Sequence, residues 1–145
     1  MRLREVMSQR PEYVSPGITL KEAASLMKRN NIGMLLVADK DRLLGAITDR
    51  DIVVRGIAEG KDPKTTKAKD VMTTKAVCCF DDQEVWEAAQ VMEERQVRRL
   101  AVLDREKRLV GVVSVGDLAV KTDDESISGE VMRYVAARRN DYMIL

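Results

Sequence analysis

An internal duplication constrains this chain more than any other feature of its sequence. Val6-Met7 recurs as Val71-Met72, 65 residues on. At the same offset Leu20, Glu22, Ala23, Ala24 and Met27 answer to Val85, Glu87, Ala88, Ala89 and Met92. LLVADKDRLLGAITDRDI then answers to LAVLDREKRLVGVVSVGDL, with one residue inserted in the second copy's turn. Past the insertion the offset is 66, which pairs Gly45 with Gly111, Thr48 with Ser114 and Asp51 with Asp117. A segment of about 55 residues buries too little surface to be more than marginally stable alone. Two copies packed face to face would bury both sheets about a pseudo-two-fold axis.

Each copy reads physically in the same way. Val14 lies in a short extended piece that ends at Pro16-Gly17. Thr19 and Glu22 have capping-box spacing, and Leu20, Ala23, Ala24 and Met27 then share one helical face. Asn30-Asn31 closes that helix. Met34–Val37 has the length of a buried strand, Asp39–Arg42 the composition of a hairpin turn, and Leu43–Ile47 that of the return strand. Asp51 to Val54 opens a second helix that runs out near Gly56 or Gly60. The spacing predicts β-α-β-β-α twice, an α/β (α+β) fold. The expected division is a first repeat over 1–60, a polar, Pro-containing linker over 61–70, a second repeat over 71–121 and a tail over 122–145. In the tail, Ile127, Val131, Tyr134 and Val135 suggest a short amphipathic helix that serves as a packing or dimer element.

Composition removes several functions. The 25 basic and 24 acidic residues nearly cancel, so no global field favours nucleic acid or an anionic membrane. There is no histidine, hence neither the usual general base nor the commonest metal ligand. The two cysteines are the neighbours Cys78 and Cys79, which read as buried strand thiols. No P-loop and no nucleophile beside a base is present, so catalysis is not expected. With no apolar leader at the start, no membrane-length stretch and free thiols, the cytoplasm is the expected compartment.

The chemistry concentrates in GAITDRD, Gly45 to Asp51, and its echo GVVSVGD, Gly111 to Asp117. Both read Gly-apolar-apolar-hydroxyl-x-x-Asp, with the hydroxyl at a strand end and the Asp in a first helical turn. A helix N-terminus favours phosphate, a hydroxyl there donates to it, and the carboxylate suits the two hydroxyls of a ribose. The same spacing is also a capping box, which needs no ligand. Both readings stand on the sequence.

The duplicated unit, the Val-Met openings and the paired Gly-x-x-Thr/Ser-x-x-Asp motifs resemble a tandem pair of cystathionine β-synthase (CBS) domains of the stand-alone bacterial and archaeal type. The resemblance covers residues 5–121; VRRLAVLD, Val97 to Asp104, matches the family's segment before the second strand, with Ala101 where Pro is common. It implies a regulatory module that senses an adenine nucleotide (AMP, ADP or ATP) in clefts between the repeats, with no metal required. The alternative is a structural dimer that binds NAD, S-adenosylmethionine or nucleic acid. By matching positions, Thr48 and Asp51 would serve one cleft, Ser114 and Asp117 the other. Adenine would lie against Val14, Ile32 and Met34 in one copy and Val77, Val97 and Leu100 in the other. Arg98 and Arg99 would meet phosphate, reaching the first cleft from the opposite repeat, so that cleft is expected to hold a phosphate tail more tightly. Arg98-Arg99 also reads as a solvated surface pair, Arg50 and Arg55 as surface charges, and Trp86 as a packing or dimer contact. The resemblance further implies a homodimer, here through the Ala-rich faces of Leu20–Met27 and Val85–Met92, and an unidentified downstream protein.

Overall fold

The computed structural model describes residues 1–122 and 125–137. In chain order the first repeat contains α1 (Leu3–Val6), β1 (Ser8–Gln9), β2 (Tyr13–Val14), α2 (Leu20–Asn30), β3 (Met34–Asp39), β4 (Arg42–Thr48) and α3 (Asp49–Asp51). The helix continues from α3 with π geometry over Ile52–Ile57, two residues earlier in its start than the sequence suggested. A 3-10 turn, Ala68–Asp70, leads to β5 (Cys78–Phe80), α4 (Val85–Arg95), β6 (Arg99–Leu103), β7 (Leu109–Ser114), α5 (Val115–Lys121) and α6 (Glu125–Ala137). This is the expected mixed α+β architecture, twice over. The expected tail helix is present as α6; the side chains of Tyr134 and Val135, and residues 138–145, lie outside the described residues.

Local chemistry explains the element ends. The Thr19 hydroxyl accepts from the Glu22 N–H at 3.1 Å while the Glu22 carboxylate accepts from the Thr19 N–H at 3.0 Å, closing a capping box on α2. α2 and α4 both stop at a left-handed residue, Asn31 (φ 52°) and Gln96 (φ 55°). The β3–β4 hairpin turns through Lys40 and Asp41, both at positive φ.

The strands form two sheets, ordered β1-β7-β6-β5 and β2-β3-β4. The openings of the two copies are exchanged between these sheets. β1 follows Val6-Met7 yet pairs antiparallel with β7 of the second copy, with Ser8 opposite Val112. In the mirror arrangement Thr73, just after Val71-Met72, bridges to Ala46 on β4 of the first copy, with N–H···O bonds of 2.9 and 3.0 Å. The cores follow the exchange. Leu3 and Val6 are buried with Cys79, Val85, Met92 and Leu118, whereas Ala68 and Val71 are buried with Leu20, Met27, Val37 and Ile47. Each copy therefore completes its core with the other copy's opening.

That exchange is why both motifs begin with glycine. A Cβ on Gly45 would overlap the Thr73 carbonyl, and one on Gly111 would overlap Met7 Sδ and crowd the Ser8 carbonyl. A third cluster, Leu36, Ala38, Ala46, Ala101, Leu103 and Leu109, joins the sheets face to face. Matched positions there trade volume: Leu36 against Ala101, and Ala38 against Leu103.

Candidate functional site

The hydroxyl-x-x-Asp motifs form capping boxes in both copies. The Asp51 N–H donates to Thr48 Oγ1 at 3.0 Å, and Asp51 Oδ2 accepts from the Thr48 N–H at 3.0 Å. The Asp117 N–H donates to Ser114 Oγ at 3.0 Å, and Asp117 Oδ2 accepts from the Ser114 N–H at 2.9 Å. Each carboxylate also meets a cation four residues on. Arg55 Nε stands 4.0 Å from Asp51 Oδ1, and Lys121 Nζ stands 3.0 Å from Asp117 Oδ1. Both cations then reach the exchanged openings. Arg55 donates to the Val71 and Met72 carbonyls at 3.4 Å, and Lys121 donates to the Val6 carbonyl at 3.2 Å.

Burial pushes the Asp117 carboxyl up, but the Ser114 backbone N–H and the Lys121 ammonium outweigh it and hold it below the ordinary carboxylate value. Asp51 is 8% exposed and also receives the Thr73 hydroxyl at 3.5 Å. The capping reading of these pairs is thus realised in the fold. Arg55 is a tie between helix and opening, not a free surface charge.

A cleft of about 640 Å³ lies between the repeats. Val14, Ile32 and Met34 supply its apolar wall, and Arg99 and Val112 face them from the other repeat. Three of the expected base-contacting residues and one expected phosphate-contacting arginine therefore meet at one place. Arg98 does not line this cleft; its carbonyl accepts from the Val115 N–H at 2.9 Å. Thr48 and Asp51 do not line it either, although Thr48 pairs with Met34 across the β3–β4 ladder. The cleft adds Arg10, which the sequence reading passed over, on the segment joining the two sheets. Its only sequence signal was a basic counterpart at the same offset, Lys75.

In the second copy the expected residues fare differently. Leu100 is 1% exposed and sits in the core with Cys79, Met92 and Val113, so it offers a ligand no surface. The reason is register. Met34 lies opposite Thr48 and Arg99 opposite Ser114, which makes Arg99, not Leu100, the counterpart of Met34. A one-residue slip along a strand selects the opposite face. Val77 and Val97 are partly buried against the same core.

Two further expectations are corrected. Cys79 is buried but Cys78 is exposed, because neighbours on a strand face opposite ways. Burial foremost, with Cys78 and Glu87 adding, pushes the Cys79 thiol up to about 11. Of the alanines expected to meet another copy, Ala23, Ala88 and Ala89 are buried within their own repeats, while Ala24 is exposed.

Two β-α-β-β-α repeats with exchanged openings and a cleft walled by both define a class, the tandem-repeat α+β module. The model of the CBS domain matches residues 3–56 and 68–121, and the chain belongs to the CBS domain family. It is 37% identical over 134 residues to the CBS domain-containing protein YhcV of Bacillus subtilis, spanning 92% of this chain and 94% of that one. It is 38% identical over 125 residues to Hypoxic response protein 1 of Mycobacterium tuberculosis, spanning 86% and 87%. The crystal structure of Hypoxic Response Protein I with two coordinated zinc ions superimposes with a TM-score of 0.76 at 37% identity, covering 84% of this chain and 99% of that one. The CBS domain pair of MJ0100, in complex with 5′-methylthioadenosine and S-adenosyl-L-methionine, gives a TM-score of 0.69 at 26% identity, covering 82% and 97%.

The zinc-bound relative overturns the expectation that only a nucleotide, and no metal, belongs with this fold. Among the described residues no three His, Cys, Asp or Glu side chains gather where they would hold an ion. No helix among them is long and apolar enough to cross a membrane.

Proposed function

We propose that this chain is a regulatory module, not a catalyst, and that its ligand is an adenine nucleotide (AMP, ADP or ATP) held in the cleft between the repeats. The observation that carries this reading is the composition of that cleft. Val14, Ile32 and Met34 offer an apolar wall to a base, and Arg99 and Arg10 offer guanidinium groups to a phosphate. The adenosine-bearing ligands of the MJ0100 pair support the choice of base. Within this proposal Thr48 and Asp51 support the cleft from behind, fixing the end of the strand that pairs with Met34 through their capping box. Ser114 and Asp117 serve the second cleft with weaker phosphate contact.

The regulatory step follows from where the walls come from. A ligand touching Met34 of one repeat and Arg99 of the other favours one relative orientation of the two sheets. A homodimer and a downstream protein would read that orientation. Free thiols and a nucleotide ligand fit a cytoplasmic setting.

A thermal-shift panel of AMP, ADP, ATP, NAD and S-adenosylmethionine tests the reading. A ligand at 100 times its dissociation constant adds about 2.7 kcal/mol to stability. A shift with AMP, ADP or ATP, with the nucleotide recovered intact, is the expected result. A shift with S-adenosylmethionine alone would move the assignment to the other adenosine class, and steady hydrolysis of ATP would replace the module by an enzyme.

A further inference from the structure

The Asp51 carboxylate is engaged by the fold and does not line the cleft. One oxygen accepts from the Thr48 N–H at 3.0 Å and the Thr73 hydroxyl at 3.5 Å, and the other stands 4.0 Å from Arg55 Nε. The cleft holds a different carboxylate, Glu12, on the segment that joins the two sheets. Glu12 is exposed, and among the described residues its side chain makes no ion pair or hydrogen bond. The same is true of the side chains of Arg10 and Arg99, which line the same cleft. Two residues of chain span at most about 7 Å, so Arg10 is near enough to matter to Glu12, yet the two are not paired.

A carboxylate accepts hydrogen bonds and donates none, so it opposes a phosphate and favours a group that donates. In chain order the segment presents Arg10, Glu12 and Val14 to the cleft: a guanidinium, a carboxylate and part of the apolar wall. A nucleoside monophosphate presents a phosphate, a ribose with two free hydroxyls and a base in the same order. We propose that Glu12 is the residue that recognises the ribose, its carboxylate accepting from the 2′- and 3′-hydroxyls. Arg10 and Arg99 then take the phosphate, and Val14, Ile32 and Met34 the base. The inference rests on the nucleotide reading above and names the group that makes this cleft select ribonucleotides. It also sets the repeats apart, because the residue 65 positions on from Glu12 is Val77, which has no carboxylate to offer.

Calorimetric titration of AMP and of 2′,3′-dideoxy-AMP into the full-length parent chain and into Glu12→Ala tests this. The parent should bind AMP at least tenfold more tightly than the dideoxy nucleotide, since a site that hydrogen-bonds a hydroxyl rejects the analogue lacking it. Glu12→Ala should weaken AMP at least tenfold and abolish that preference. The dideoxy nucleotide should bind the variant as well as the parent or better, because the charge that opposes phosphate is gone. Equal affinity of the parent for the two nucleotides overturns the assignment of Glu12. So does a Glu12→Ala chain that still prefers AMP, or one that loses both ligands alike. Those outcomes leave the nucleotide reading standing, whereas a parent chain that binds neither nucleotide overturns both.

Discussion

The two repeats start from one pattern and end in different environments. In the second, α6 lies over α4 and α5, and Ile127 and Val131 extend a core that already holds Leu118, Met92 and Val115. In the first, the matched helices have no such cover among the described residues, and Val53, Val54 and Ile57 face outward. The cleft shows the same divergence: Arg99 on β6 occupies the place that Met34 takes on β3. Duplication supplied a symmetric scaffold in which each copy needs the other's opening. Single substitutions and one added helix then made one half the better-packed unit and the other the half with open surface.

The largest expected effect tests that difference in packing. Leu118 is fully buried under α6, and its counterpart Ile52 is 8% exposed in a smaller cluster. Leu118→Ala should lower stability by about 4 kcal/mol and Ile52→Ala by about 2 kcal/mol, read from urea unfolding. Equal losses would mean that α6 adds nothing to the second core.

The exchanged openings give the next test. At Gly45 the obstacle to a Cβ is backbone at Thr73 and Thr74, which cannot move without breaking the bridge to Ala46. At Gly111 the nearest atoms belong to the flexible Met7 side chain, with the Ser8 carbonyl behind. Gly45→Ala should therefore cost about 3 kcal/mol and Gly111→Ala about 1 kcal/mol. The reverse order would show that the two crossings are not built as described.

A smaller effect is set by pH. The Asp117 carboxyl is held below its ordinary value, so its contribution is complete above the ordinary carboxylate range. That contribution fades as pH falls through the lowered folded-state value. Lys121→Met removes the ammonium and leaves the hydrogen bonds at Ser114 alone to offset burial, so the carboxyl rises and acid unfolding should begin at higher pH than in the parent chain. An unchanged acid midpoint would rule out the ion pair as a stabilising contact. Smaller still is a contrast within β5. Iodoacetamide at mildly alkaline pH should label exposed Cys78 well before Cys79, whose thiol burial holds near 11. Equal labelling rates would contradict the alternation of faces.

Much of this was legible from the residues. The repeat, the α2 capping box, the hairpin and the place of the Gly-x-x-Thr/Ser-x-x-Asp motifs all follow from local spacing, and local spacing is what fixes them. The exchange of openings was not legible, because Val6-Met7 carries the same signal whichever copy it packs against. Leu100 shows the limit of carrying a family position over: the 65-residue offset that holds before the turn makes Arg99 the counterpart of Met34, and one residue moves a side chain from cleft to core. Arg10 was invisible for a related reason. It is basic, exposed and outside every motif, and only the crossing from one sheet to the other brings it to the cleft.

Calorimetric titration of AMP into the parent chain and into Arg99→Ala tests the central proposal, a cleft shared by both repeats, most directly. A charge-assisted hydrogen bond is worth about 1.5–3 kcal/mol, so removing the guanidinium that faces Val14, Ile32 and Met34 should weaken binding at least tenfold. A saturable AMP isotherm in the parent chain, displaced by that factor in the variant, is the expected result. No heat with AMP, ADP or ATP, or an isotherm identical in the two chains, would contradict the account.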